Sequence, residues 1–574
     1  MFNPAPGGGT SSPFTFTVTP AVNAAPLLTS LSPSPIYSGS ATLTLTANGS
    51  QFVSASEIML NQGNTSTTFI SASQLQTDVD WFMLTYPVQI QVDVFTFPPG
   101  GGTSSTLPLP IVPGGMPVGT IDIVSVATDG TLSDRESRHP AVTPDGRFIA
   151  FDSLGVNLVP GGTNGHVHIF VRDTCFGVAS GCSPTTTLVS AAADASEANN
   201  DSYSPTISSN GRFVAFQSAA TNLAASASNG VGQVFLHDRD VAQTGVFDQP
   251  GNTANILISV AMDGTPGDMG AVDASINADG RFVAFDSSSD DLVPNDTNMA
   301  PDVFVRDTCL TAPPGCVPVT IRASVATDGT EANQTSYSAL PTLSSNGRFV
   351  SFDSTASTLA PGFSQGGVFV RDTCFSAPPG CTPSTQGVSF SAAGVPSFGA
   401  FNSISADGRF VAFVSGDLVP GDPPQAQNVY VRDTCQGQPQ TCTPTTSNVS
   451  VGTGGAEPND SSYVPAIGPD GRFVVFDSSA TNLAANNAHD TNGQPDYLVH
   501  DTCFGAPAGC VPATFQVSMA NDGTQSQGNQ GIDSGSNIRV SAGGKVVVFS
   551  SAAVNLMPSP STTTHIYRVV TNFP

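Results

Sequence analysis

Positive charge is what this chain lacks. Of 574 residues only 17 are Lys or Arg, against 44 Asp or Glu, and Lys545 is the single lysine. The formal net charge of −27 repels polyanions, which disfavours nucleic acid and anionic lipid as partners. Long apolar runs are missing too. No segment approaches the ~18 consecutive apolar residues of a spanning helix, so no membrane span is expected. No stretch rich in Ala, Leu, Glu and Lys carries a helical period. Trp occurs once, at Trp81. His-Glu-x-x-His is absent, which removes the usual mark of a zinc protease. The one Gly-x-Ser-x-Gly string, at 362–366, lies between β-type runs, and no α/β segment follows the repeats as a serine hydrolase of that kind would need.

What is present is Gly, Pro, Ser, Thr and Asn between short β-branched runs, the mark of an all-β protein. The length exceeds one small core and predicts two or more domains. The ten cysteines form five pairs of one spacing: Cys175/Cys182, Cys309/Cys316, Cys374/Cys381, Cys435/Cys442 and Cys503/Cys510. Zinc sites use tighter spacings, usually with His nearby. Five local disulfides in an oxidising compartment are therefore expected, each closing a short loop worth about 2.5 kcal/mol in the chain-entropy model.

Residues 3–18 (NPAPGGGTSSPFTFTV) and 98–112 (PPGGGTSSTLPLPIV) are near-copies. The second copy ends a domain at 23–113, so residues 1–22 are expected to be the last strand of an earlier domain of the same kind. The expectation is an N-terminally truncated piece, its signal peptide lying upstream of Met1, and a secreted, periplasmic or cell-surface protein. The entire 24–113 stretch, with TSLSPSPIYSGS, the turn Asn48–Phe52, Ser71–Leu75 and the closing Gly-rich strand, resembles the IPT/TIG immunoglobulin-like family. The resemblance implies a β-sandwich acting as a spacer or interaction module. A Pro-Gly-rich linker at 114–119 follows.

From residue 120 to 574 a period of about 65 residues takes over. Its anchor reads TPDGRFIAFDS (143–153), SSNGRFVAFQS (208–218), NADGRFVAFDS (277–287), SSNGRFVSFDS (344–354), SADGRFVAFVS (405–415), GPDGRFVVFDS (468–478) and SAGGKVVVFSS (541–551). Asp-Gly or Asn-Gly between apolar runs is a hairpin signal, and a strand-like alternation follows it. Each copy then carries a strand of the type HIFVRD (168–173). With two further short strands this makes four per repeat, which specifies a propeller of seven blades. These motifs resemble the WD-like repeats of TolB-like propellers, a family in which six blades are common. The first strand, 121–130, is expected to complete the last blade and so leave no open edge.

Recurrence separates scaffold from function. Arg147, Arg212, Arg281, Arg348, Arg409 and Arg472 share one repeat position, and Arg172, Arg306, Arg371 and Arg432 another, so both sets read as structural. The irregular loops before the innermost strands supply the ligand candidates. Tyr203, Tyr337, Tyr463, Phe398 and Phe401 offer stacking surfaces. Asp201, Asp268, Asp273, Asp460 and Asp533 make that mouth acidic, with Arg135, Arg138 and His139 as the basic exception. Ordinary solvated loops, with Tyr packed between blades, remain the alternative. Asp296, Asn298 and Asp302, and likewise Asp490, Asn492 and Asp496, have oxygen-ligand spacings reminiscent of calcium loops, without the full series of an EF-hand; a metal-free Asx turn is the other reading.

The expected fold is all-β: a seven-bladed β-propeller behind an immunoglobulin-like sandwich. The expected function is a non-catalytic, monomeric binding or scaffold protein presenting an acidic face to a protein or glycan, with calcium as the one candidate cofactor. The alternative is a propeller hydrolase or lyase acting on polysaccharide through carboxylates at the channel mouth. Chain order puts the cysteine loops on the face opposite that mouth.

Overall fold

The computed structural model describes the chain outside residues 1–3, 5, 14–21, 33–35, 38–42, 80–87, 113–117, 225–229, 335–339, 417, 419–425, 440, 453–454, 487–489, 491, 508–509, 523, 528–537, 558–562 and 574. It divides into two compact units, Met1–Gly115 and Met116–Pro574.

The first unit is two antiparallel-dominated sheets on one core. One sheet orders Leu27–Ser32, Leu43–Ser50, Gln74–Val79 and Thr67–Ser71. The other is built on Leu107–Val112, Val88–Thr96 and Ser56–Leu60, with Ile36–Tyr37 running parallel at its edge. Alternate residues of both sheets, such as Leu45, Leu75, Ile58 and Val92, meet in a single buried cluster.

The second unit is made of repeated four-stranded antiparallel sheets in a propeller arrangement, seven of them among the described residues. The first runs Ser137–Val142, Phe148–Ser153, His168–Asp173 and Thr185–Leu188, from the innermost strand outward. Each innermost strand touches that of the next repeat, and the last, Ile538–Val540, touches Ser137–Val142, so the ring closes on itself. The last sheet takes its outer strand from the start of the unit: Val118–Ile123 pairs with His565–Thr571, Ile121 opposite Val569.

The repeat motif explains this packing. The second strand of each sheet is buried on both faces, as Phe148–Ser153 and Phe282–Ser287 are, and hence reads as a nearly continuous apolar run. Clusters lie between consecutive sheets: Phe148, Ala150 and Val171 of the first repeat pack on Val214, Phe216 and Phe235 of the second. The hairpin glycine is required twice over. Gly280 has φ +81°, and a Cβ there would stand 2.1 Å from the Phe213 ring of the preceding repeat. Thus the G and the F of GRF lock successive sheets together.

The two arginine series are scaffold. Arg281 Nε and Nη2 make a bidentate pair with Asp307 at 2.9 and 2.7 Å, and five other repeats hold the same clasp. The guanidinium also lies over the following Phe, 4.8 Å from the Phe282 centroid. Arg172, Arg306, Arg371 and Arg432 reach the fourth strand, each donating to a Thr hydroxyl. All five cysteine pairs are bonded as expected. They sit beside the clasp, Arg281 Nη2 lying 3.7 Å from Cys316 Sγ, at the sheet end opposite the loops that lead into the inner strands.

Candidate functional site

The inner strands are irregular at one shared position. His139, Ser204, Asp273, Leu340, Phe401 and Val464 all have positive φ, between 34° and 54°. Residues with a side chain rarely adopt this conformation. At five of the six, the register between the inner and second strands slips there, a β-bulge. Bulges re-aim side chains, and these six line one axial cavity of about 230 Å³. The prolines that follow four of them, Pro140, Pro205, Pro341 and Pro465, complete part of its wall. Proline suits the site because a bulged strand has no ladder bond there for its missing N–H to break.

The cavity wall carries opposed charges. His139 Nδ1 is 2.6 Å from Asp152 Oδ2. Burial disfavours the imidazolium, but the charge and hydrogen bond of Asp152 prevail and raise the His139 pKa. Arg539, from the last repeat, lies near enough to His139 to oppose its charge. Burial pushes the Arg539 guanidinium down to about 10. Facing them, burial raises the Asp273 carboxyl, with His139 pulling the other way. Behind it, burial pushes Asp353 up to about 7, against a 3.3 Å bond from Asn402 Nδ2 and with the charge of Asp273 adding to the rise. Asp477 holds the same repeat position as Asp353 and Asp152. Burial pushes it to about 6, and its Oδ2 has no hydrogen-bond partner among the described residues.

Three of the sequence candidates meet in this cavity: His139, Asp273 and Phe401. The remaining described candidates lie outside its wall. Arg135, Asp268 and Asp460 are exposed, Arg138 pairs with Glu136 at 2.9 Å, and Phe398 is 51% exposed. Asp201 ties His166, the Val167 amide and the Tyr203 hydroxyl together, a loop clamp. Tyr463 packs on the cluster between the fifth and sixth repeats. Tyr337 and Asp533 lie outside the described residues. Arg539, Asn402, Asp152, Asp353 and Asp477 were not singled out in the sequence. The acids hide in the FDS repeat, whose recurrence reads as scaffold. Arg539 was findable as a basic residue belonging to neither arginine series.

The two calcium-like loops differ. In the third repeat, Arg322 Nη1 lies 2.8 Å from Asp296 and 3.2 Å from Asp302, while Asn298 donates to Asp302. A guanidinium thus supplies the positive charge between these carboxylates. In the sixth repeat the corresponding residue is Gln516. Burial pushes Asp496 up to about 7, with Asp490 adding to the rise, and Asp490 also accepts from the Asn492 amide. The Asp-Cys-Cys groupings, such as Asp173 with Cys175 and Cys182, do not suit a metal. Their sulfurs are bonded to each other and the carboxylate is held by Arg147.

No family model and no curated protein matches the chain. Among solved structures it is similar to a putative TolB from Agrobacterium tumefaciens, at 17% identity and TM-score 0.29 over 59% of this chain and 87% of that one. An auxiliary nutrient binding protein from Bacteroides thetaiotaomicron is similar at 9% identity and TM-score 0.35, over 81% and 96%. An alpha-L-arabinofuranosidase from Lactobacillus brevis is similar at 11% and 0.25, over 68% and 93%. At such identities and scores the likenesses carry no argument about ligand or chemistry.

Proposed function

We propose that this is an extracytoplasmic binding protein whose seven-bladed propeller receives the end of a glycan, or a free sugar, in the axial cavity. The IPT/TIG-like sandwich serves as its spacer. The observation that carries the reading is the set of left-handed bulges that brings His139, Asp273 and Phe401 to one small polar cavity. Such backbone strain is retained where the geometry is used. A cavity of about 230 Å³ is below the ~300–1,000 Å³ of drug-sized sites, which suits one ring better than a protein surface. Phe401 offers an apolar face for a sugar ring, and Asp273 offers a polar partner for its hydroxyls. The five disulfides support an oxidising compartment. Among the described residues no helix is long and apolar enough to cross a membrane. Calcium is carried forward only for Asp490, Asn492 and Asp496.

A glycan array followed by calorimetry tests this. Binding that is lost in both Phe401→Ala and Asp273→Asn, with folding intact, supports the cavity. Binding that survives both variants moves the site elsewhere.

One observation favours a hydrolase as the second reading. Asp353, at about 7, is partly protonated near neutral pH and interacts with the carboxylate of Asp273. A carboxyl group protonated near neutral pH beside a second carboxyl group is the equipment of glycoside cleavage. Turnover of aryl glycosides that falls at least about a hundredfold in Asp353→Asn would select it.

A further inference from the structure

We infer that the ligand of the axial cavity carries a carboxylate: a sugar acid, free or as the terminal ring of a glycan, anchored by Arg539. This rests on the cavity being the binding site and specifies what enters it.

Arg539 breaks the repeat. It pairs with Val548 across the innermost hairpin. The residues at the same position in the other six repeats are Ala141, Thr206, Ser275, Thr342, Ser403 and Ala466. All six are small and leave the channel open. Only the last repeat places a long cationic side chain there, so ring packing does not require one.

Nor does the protein use its charge. Arg539 donates to the carbonyl of its own neighbour, Ile538, at 2.8 Å, and among the described residues it has no carboxylate partner. The contrast is with the clasp arginines, and with Arg239, Arg322 and Arg568, each of which is ion-paired. A guanidinium has five donors in a fixed fork, and desolvating it without an anion is costly. The fork matches a carboxylate. His139 stands on the same side, its charge when protonated balanced by Asp152.

The rest of the wall sets the remainder of the ligand. Thr206 lines the cavity, and its Oγ1 has no hydrogen-bond partner among the described residues. With Asp273 opposite, the wall offers partners for more than one hydroxyl, and Phe401 offers a face for a ring. A small carboxylic acid with several hydroxyl groups meets all of these at once. Long polyanions do not fit as well, because the net charge of −27 opposes their approach.

The test is calorimetry of the full chain with galacturonate, glucuronate and N-acetylneuraminate. Each is compared with its carboxyl-reduced, neutral counterpart, in wild type, Arg539→Gln and Arg539→Lys. We expect the acids to bind at least about tenfold tighter than the neutral sugars, the strength of a charged hydrogen bond. Arg539→Gln should erase that preference while keeping neutral-sugar affinity, and Arg539→Lys should keep part of it. Because the guanidinium has no carboxylate partner among the described residues, Arg539→Gln should melt no lower than wild type, which separates lost recognition from lost folding. Equal binding of acid and neutral forms, or a preference that survives Arg539→Gln, overturns the inference and leaves the cavity as a neutral-sugar site. Failure of every sugar to bind removes the cavity reading itself, and this inference with it.

Discussion

His139 and Asp152 form a 2.6 Å contact within the first repeat, and the same carboxylate oxygen accepts the Ser204 amide of the second at 3.0 Å. One buried carboxylate thus fixes two successive bulges. Because the folded His139 pKa is raised above its ordinary 6.5, the pair's contribution is fully present below that value. It is lost as pH rises through the folded pKa. His139→Asn should therefore cost more stability at pH 5.5 than at pH 8.5, about 1.5–3 kcal/mol at the acid end for a charge-assisted bond. Denaturant unfolding at the two pH values checks this, and a pH-independent cost contradicts the pairing.

The hairpin glycines separate strain from contact. Gly264 and Gly280 both have positive φ, +86° and +81°, but a Cβ at Gly264 meets open space while one at Gly280 meets Phe213. Gly264→Ala should cost about 1–2 kcal/mol, the left-handed penalty alone. Gly280→Ala should cost a further ~1–3 kcal/mol from overpacking between repeats. Equal losses would mean that the Phe ring moves aside freely.

This contrast also marks what was legible in the sequence. Hairpin, second strand and Arg-Asp clasp recur in the letters because each repeat must solve the same packing problem, and recurrence exposes the solution. The cavity is built from departures. Asp273 and Phe401 stood in loops visibly irregular, and so were found. Arg539 is an exception at a position whose alignment needs the strand register, and the seventh repeat, SAGGKVVVF, lacks the usual arginine that would set it. Asp353 and Asp477 were concealed by the opposite cause. They repeat, yet how deeply each repeated acid is buried depends on the inner strand packed beside it, which leaves no mark in the composition.

The second repeat has no disulfide, so its clasp stands alone. Arg212 and Asp238 are joined at 2.8 and 2.7 Å, with side chains only 15% and 5% exposed. Arg212→Met leaves that carboxylate buried without its counter-charge and should cost about 3–5 kcal/mol. Adding Asp238→Asn removes the orphaned charge while keeping an acceptor for the Asp240 amide. The double variant should recover part of the loss, and additive losses in the cycle would show the pair to be uncoupled.

Calcium, if it binds, should act through the sixth repeat and not the third. Arg322 already stands between Asp296 and Asp302, whereas among the described residues Asp490 and Asp496 have no guanidinium partner. Excess chelator should lower the melting temperature of the wild type, and Asp496→Asn should abolish that response. A melting temperature indifferent to chelator ends the calcium reading for both loops.

Closure of the ring rests on one short strand. Ile121 sits in the core between the sixth and seventh repeats, and its amide and carbonyl are both held by the Asn521 side chain, at 2.9 and 3.1 Å. Next to it, Asp122 makes a bidentate pair with Arg568. Ile121→Pro removes the amide that Asn521 holds and forces a kink into the strand. His565–Thr571 would then become an open edge, which is a template for intermolecular pairing. Hydrogen exchange should rise selectively in residues 565–571, stay unchanged in the equivalent strand Asn428–Asp433, and be accompanied by self-association at high concentration. Unchanged exchange at 565–571 would mean that the seventh sheet holds together without its borrowed strand, and that the ring is closed by inner-strand contacts alone.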